Sequence, residues 1–252
     1  MFAPDDLTDD AFLGGRLRLW QPRRGYRAAA DPVLLAAAVT ARPGQSVLDL
    51  GCGAGTAVLC LGARVPGLVL AGIELQPAYA DLARRNAARN AMALEVGTGD
   101  IAALPAALRR GFDHVIANPP FYAPGGSPSP DAGRDTALRQ QVSLALWVEV
   151  AARRLNPGGW MTLIVATAAL PQVLAALPDS VGSAAVLPVA ARQGRPATRV
   201  ILQARKGGRA PFRLLAPFIL HAGATHDGDR DSHTPEASAV LRGSGDLSAQ
   251  FG

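Results

Sequence analysis

Four residues, Asn118-Pro119-Pro120-Phe121, carry the most specific chemistry in the chain. They follow an apolar run, Phe112 to Ala117, that reads as a buried strand. Two prolines end a strand abruptly: each fixes φ and lacks an N–H, and the residue before proline is pushed into an extended conformation. Asn118 is thus held rigidly at the strand's carboxyl end, with an aromatic ring three residues on. A primary amide, the Pro119 carbonyl and a ring can clamp one flat group bearing an NH₂. The amide oxygen and the carbonyl accept its two N–H bonds, and the ring stacks on its plane.

A second set lies upstream. Asp49-Leu50-Gly51-Cys52-Gly53-Ala54-Gly55 links a strand (Val47 to Leu50) to a helix through a glycine turn. The glycines let the backbone approach a ligand, and the helix N-terminus presents free N–H groups to an anion. The spacing is GxGxG, not the GxGxxG of dinucleotide sites. Glu74 and Asp100 end the next two predicted strands, where a carboxylate can accept ribose hydroxyls or an amino group. Three acids in register at strand ends point into the crevice where parallel sheets bind ligands.

These residues need an alternating scaffold, and the sequence supplies one. Strands are predicted at 47–50, 68–73, 94–96, 112–117, 160–166, 181–189 and 199–204. Helices are predicted after the glycine turn to about 64, then at 77–90, 136–155 and 170–177. Alternation of this kind makes an α/β fold with a mostly parallel sheet covered on both faces. The last two strands, joined without a helix, give it an antiparallel end. Before this core, 1–44 forms an extension: a strand at 16–20, a return strand or turn at 25–27, and a helix from Asp31, with Asp31 as N-cap and Pro32 at the first helical position. The core domain is 45–222, and 223–252 reads as a polar tail without a clear element. The Pro/Gly/Ser-rich stretch 123–135 is long enough for a lid, a binding loop or a disordered segment.

Asp49 to Gly55 followed by Glu74, Asp100 and Asn118-Pro119-Pro120-Phe121 resembles the class I S-adenosylmethionine-dependent methyltransferases, over about residues 45–206. Gly25-Tyr26-Arg27 with Asp31-Pro32-Val33-Leu34-Leu35-Ala36, the phrase ending in Tyr122, and Lys206-Gly207-Gly208-Arg209-Ala210 narrow it. Together they resemble the bacterial tRNA adenine-N6 methyltransferases that act on an anticodon-loop adenine of a valine tRNA. The chain departs from that pattern after Gly-Tyr-Arg, where Ala28-Ala29-Ala30 replaces an aromatic and a small residue. The resemblance implies a Rossmann-like seven-stranded sheet with an antiparallel last strand, and S-adenosylmethionine as cofactor. It implies that Asp49, Gly51, Gly53 and Gly55 line the methionine end, that Glu74 holds the ribose and that Asp100 takes the cofactor's adenine amino group. Asp31 is either a contact of the methionine ammonium or only a cap. Asn118 and Pro119 accept the target N6 hydrogens next to Pro120, and Phe121 stacks on the base. The same NH₂ geometry fits a protein glutamine amide or guanine N2 of ribosomal RNA. A nicotinamide-linked oxidoreductase is disfavoured by the glycine spacing.

Composition agrees with a globular enzyme. Of 252 residues, 49% are hydrophobic and 18% charged. The net charge of +5 favours a polyanionic partner weakly. Two acid-free basic groups, Arg16, Arg18, Arg23, Arg24, Arg27 and Arg192, Arg195, Arg199, Arg205, Lys206, Arg209, Arg213, suggest an RNA track. Cys52 and Cys60 read as buried small hydrophobes in a reducing compartment. With no secretory leader or 18-residue apolar span, the expected location is cytoplasmic. Asp227-Gly228-Asp229-Arg230-Asp231 fails as a calcium loop, because Ser232 and Ser238 stand where glycine and glutamate are needed.

Overall fold

The computed structural model describes residues 1–120, 143–223 and 232–252. Phe121, Tyr122, the 123–135 stretch and the first part of the helix expected from 136 therefore lie outside the described residues.

Seven strands make the body of one sheet: β3 (Ser46–Leu50), β4 (Val69–Glu74), β5 (Leu94–Thr98), β6 (Phe112–Ala117), β7 (Leu155–Ala166), β8 (Val181–Ala190) and β9 (Ala197–Lys206). Their spatial order is β8-β9-β7-β6-β3-β4-β5. All neighbours are parallel except that β9 runs antiparallel to both β7 and β8. Two short strands, β10 (Arg213–Leu214) and β11 (Phe218–Ile219), add to β8 in parallel, so the sheet is wider than the seven strands expected. The central strands are apolar along their length because both faces are covered: Val47, Leu48 and Leu50 of β3 and Val115, Ile116 and Ala117 of β6 are fully buried.

The covering helices are α1 (Ala30–Ala38), α2 (Thr56–Arg64), α3 (Pro77–Arg89), α4 (Leu144–Arg154) and α5 (Leu170–Ala175). One cluster packs α1 and α2 on one face, through Leu34, Leu35, Val58 and Leu59. The other packs α4 and α5 on the opposite face, through Trp147, Val148 and Val173. Starts follow local chemistry. Pro77 opens α3 where a missing N–H costs nothing, and Ser143 caps α4 by accepting the Leu146 N–H.

Three expectations are corrected. Asp31 does not cap α1: Ala29 holds the cap position, and the Asp31 carboxylate instead accepts from Arg199 Nε at 2.9 Å. The partner of β2 (Leu17–Pro22) is β1 (Leu7–Phe12), an earlier segment whose carboxylates hide its strand character, and not residues 25–27. That pairing also removes the acid-free character of the first arginine group. Asp9 pairs with Arg18 and with Arg89, and Asp10 with Arg27. Finally, the stretch after 223 contains α6 (Pro235–Leu241) and a closing turn of 3₁₀ helix (Ser248–Phe251). Val240, Leu247 and Phe251 are buried in the α1 cluster, and the Leu247 N–H donates to Ala37. Among the described residues no helix is long and apolar enough to cross a membrane.

Candidate active site

The strand order reverses direction between β3 and β6: the chain runs outward through β4 and β5, then returns to the other side of β3. Open α/β sheets bind ligands outside the carboxyl ends of their strands at such a switch point. The ladder pairs Leu50 with Ala117 on one side and with Ile73 on the other. Glu74 is the last residue of β4, and Gly51 and Asn118 are the first residues past the ends of β3 and β6, so all three lie at the carboxyl ends of neighbouring strands. Asp100 follows two residues beyond Thr98, the partner of Glu74.

Gly51, Gly53 and Gly55 all have positive φ, 64°, 55° and 85°. That left-handed backbone is why side chains are disfavoured there. A Cβ on Gly51 would meet Trp147 of α4 at 2.5 Å, and one on Gly55 would meet Leu59 and Ala83 at 3.2 and 3.3 Å. A Cβ on Gly53 would meet only the Tyr26 ring, at 3.7 Å. The turn is thus packed tightly from below and lightly from above. Cys52 within it is buried, as is Cys60.

Glu74 braces the turn: one carboxylate oxygen accepts the Gly53 N–H at 2.9 Å, the other the Gln76 N–H at 2.8 Å. A carboxylate offers about four acceptor sites, so each oxygen retains capacity for a ribose hydroxyl. Burial raises its pKa, against the backbone N–H bonds that favour the charge. Asp49, 2% exposed, lies beneath the same turn. Burial pushes its pKa well up and Glu74 adds to this, while an N–H from Val58 opposes it. Its Oδ2 has no hydrogen-bond partner among the described residues. A buried, unpartnered carboxylate oxygen under a glycine cradle fits a cationic amine, and the methionine end of S-adenosylmethionine carries one. Asp100 Oδ1 accepts the Ala102 N–H at 2.8 Å.

The carboxyl edge thus brings together Gly51, Gly53, Gly55, Asp49, Glu74 and Asn118. Asp31 reaches the same edge through Arg199, which pairs in the ladder with Ala166 at the end of β7. Pro119 is buried and Pro120 exposed. Tyr26 and Trp147, which flank the turn, were not marked by sequence. Tyr26 had a signal only in its Gly-Tyr-Arg context, and the contact of Trp147 with Gly51 spans almost a hundred residues.

Comparison with known proteins points the same way. The Methyltransferase small domain model matches residues 30–192. The tRNA1(Val) (adenine(37)-N6)-methyltransferase of Dickeya chrysanthemi is 28% identical over 198 residues, 77% of this chain and 78% of that protein. The protein of the same name from Actinobacillus succinogenes is 30% identical over 159 residues, 62% of this chain and 67% of its own. Among solved structures, a predicted O-methyltransferase from Agrobacterium tumefaciens matches with TM-score 0.68 at 26% identity, covering 86% of this chain and 97% of that one. A 16S rRNA N2 methyltransferase from T. thermophilus, in complex with AdoMet and guanosine, shares the fold with TM-score 0.54 at 23% identity, covering 79% and 50%. The chain belongs to the methyltransferase small-domain family and is an S-adenosylmethionine-dependent N-methyltransferase.

Proposed function

We propose that the chain methylates the exocyclic N6 of an adenine in the anticodon loop of a tRNA. The observation that supports this reading is the pairing of Leu50 with Ala117 across the switch point, which leaves Gly51 and Asn118 each one residue past the ends of adjacent strands. The relatives' shared name as tRNA adenine-N6 methyltransferases supports the acceptor.

The cofactor supplies an electrophilic methyl group on a sulfonium. Gly51, Gly53 and Gly55 hold its methionine end against the α2 N-terminus, with Asp49 and Asp31 toward the ammonium. Glu74 takes the ribose and Asp100 the adenine amine. The Asn118 amide oxygen and the Pro119 carbonyl accept the two N6 hydrogens. This orients the nitrogen lone pair toward the donor, and the gain is one of positioning. No prior deprotonation would be needed: the N–CH₃ bond would form as the S–CH₃ bond breaks to leave the neutral thioether, and the N6 proton, made acidic by the gain of the methyl, would pass to solvent. The base must leave its stack to reach this clamp. A polyanionic carrier is favoured by Arg192 and Arg195, in the turn joining β8 to β9, which opens on the same edge of the sheet.

The test is labelled methyl transfer to unmodified tRNA, followed by nucleoside analysis. The expected product is N6-methyladenosine. Unlabelled tRNA with intact cofactor binding would overturn the reading and direct the search to a glutamine amide. Asn118→Ala should lower kcat by at least about a hundredfold, as loss of an oriented transition-state contact does, with the cofactor Kd little changed.

A further inference from the structure

Tyr26 is one of two large aromatic residues left exposed among the described residues, at 44%. Its position is nevertheless fixed. Its N–H donates to the Tyr79 hydroxyl at 2.8 Å, and that hydroxyl donates to the Tyr26 carbonyl at 3.2 Å. Tyr79 is 5% exposed in the first turn of α3, with Phe2 packed edge-on at 5.2 Å. The next residue, Arg27, is tied to Asp10, to Thr8 and to the Pro22 carbonyl. The chain therefore fixes the main chain on both sides of a ring that it leaves open to solvent. That ring lies against Gly53, whose positive φ keeps the space below it clear.

The surroundings are acidic. Burial pushes the Tyr26 hydroxyl up to about 12, and Asp31, Asp49 and Glu74 add to this. Asp31 is balanced by Arg199, Glu74 receives backbone N–H bonds from Gly53 and Gln76, and burial holds Asp49 toward its neutral form. A ring face is itself negative, and cations within about 6 Å of it are attracted. An exposed ring above a glycine cradle suits a ligand carrying positive charge.

We propose that Tyr26 is a specificity-determining cofactor contact: its ring face recognises the sulfonium of the methyl donor, the one positive charge that the thioether product lacks. The enzyme would then bind S-adenosylmethionine selectively and release S-adenosylhomocysteine. This rests on the cofactor and not on the acceptor, so it stands or falls independently of the N6 reading.

The test is calorimetric titration of the full chain with each of the two compounds. Tyr26→Phe keeps the ring, and the preference for the donor should survive. Tyr26→Leu should weaken S-adenosylmethionine binding by about 2- to 30-fold, the range of one cation–π contact, and leave S-adenosylhomocysteine nearly unchanged. Equal loss for both compounds, or no loss, overturns the proposal, as does Phe behaving like Leu. If the Leu variant does not fold, a series of mono-, di- and trifluorinated phenylalanines at position 26 preserves shape while draining the ring face. Donor affinity should then fall with each fluorine and product affinity stay flat; a flat donor series refutes the contact.

Discussion

The glycines of the turn between β3 and α2 should respond differently to the same added methyl group. Gly51→Ala meets two penalties. A φ of 64° costs an L-residue about 1–2 kcal/mol. The new Cβ would also lie 2.5 Å from Cη2 of Trp147, a side chain only 7% exposed and unable to swing away cheaply. Overpacking of that kind costs about 1–3 kcal/mol, so the total is about 2–5 kcal/mol. Gly53→Ala has φ 55° and meets only the Tyr26 ring, at ordinary contact distance. Its stability cost should be the backbone share alone, about 1–2 kcal/mol. Its Cβ, however, enters the space beneath Tyr26, and the Kd for S-adenosylmethionine should rise about tenfold or more, some 1.4 kcal/mol. Urea unfolding and calorimetric titration separate the two effects. A double-mutant cycle isolates the contact: in a Trp147→Leu background the cost of Gly51→Ala should fall to the backbone share, a coupling of about 1–3 kcal/mol. Equal costs in both backgrounds, or Gly53→Ala as destabilising as Gly51→Ala, would refute the reasoning.

Other perturbations test other parts. Asp49 has its folded pKa raised above the ordinary 3.8 by burial, so the folded protein holds a proton that the unfolded chain releases, and stability falls as pH climbs from about 4. Asp49→Asn should therefore gain stability relative to wild type between pH 5 and 8 in thermal melts without ligand, yet bind S-adenosylmethionine more weakly; lower stability at pH 8 with unchanged affinity would contradict this. His114, 2% exposed, has its pKa pushed down to about 4 by burial. The unfolded chain binds that proton first, so its share of stability is complete above about pH 6.5 and is lost as pH falls toward 4, about 3 kcal/mol in all. His114→Gln should flatten the urea midpoint over that window, and an unchanged slope would exclude the residue. Phe251→Ala should cost about 3 kcal/mol in urea unfolding, because the ring is 3% exposed within the α1 cluster; a loss below about 0.5 kcal/mol would mean the carboxyl-terminal segment is not docked.

The core of the fold was legible because its signals are local. Strand β6 matches the apolar run read from sequence, and β3 begins one residue earlier than read. A strand buried on both faces must be continuously apolar, and Pro119-Pro120 and the glycines punctuate its ends. What was missed depends on long-range partners. Thr8-Asp9-Asp10 looks polar until Arg18, Arg27, Arg89 and Gln21 neutralise it across β2 and α3. The segment after 231 looks unstructured until Arg64 donates to the carbonyls of Val240 and Gly245 and Arg16 to that of Gly243. Asp31-Pro32 carries a cap's composition, yet Arg199, 168 residues away, claims the carboxylate.

The same division between local and distant determinants bears on how the site is kept in geometry. Methyl transfer requires donor and acceptor in line, where a displacement of about 1 Å can cost a hundredfold in rate. Here the spacing between cradle and clamp is not set by side chains reaching across a gap. It follows from the backbone ladder, in which Leu50 pairs with Ala117 and each is followed at once by its functional residue, Gly51 or Asn118. A one-residue slip in that pairing would exchange the two buried faces, moving Val47 and Ile116 out of the cluster they fill on one side and Leu48, Leu50, Val115 and Ala117 out of theirs on the other, so the close packing of both layers fixes the register. Pro119 and Pro120 then prevent β6 from extending past Asn118, and the positive φ of Gly51 turns β3 away at the same level. On the proposed roles, the energy that folds the sheet would also be the energy that holds acceptor and donor in place. Conservative changes in the buried strand residues beneath the edge, such as Ile116→Val or Leu50→Val, should reduce turnover only as far as they shift this register, whereas a change at Asn118, the proposed acceptor clamp, should reduce it directly.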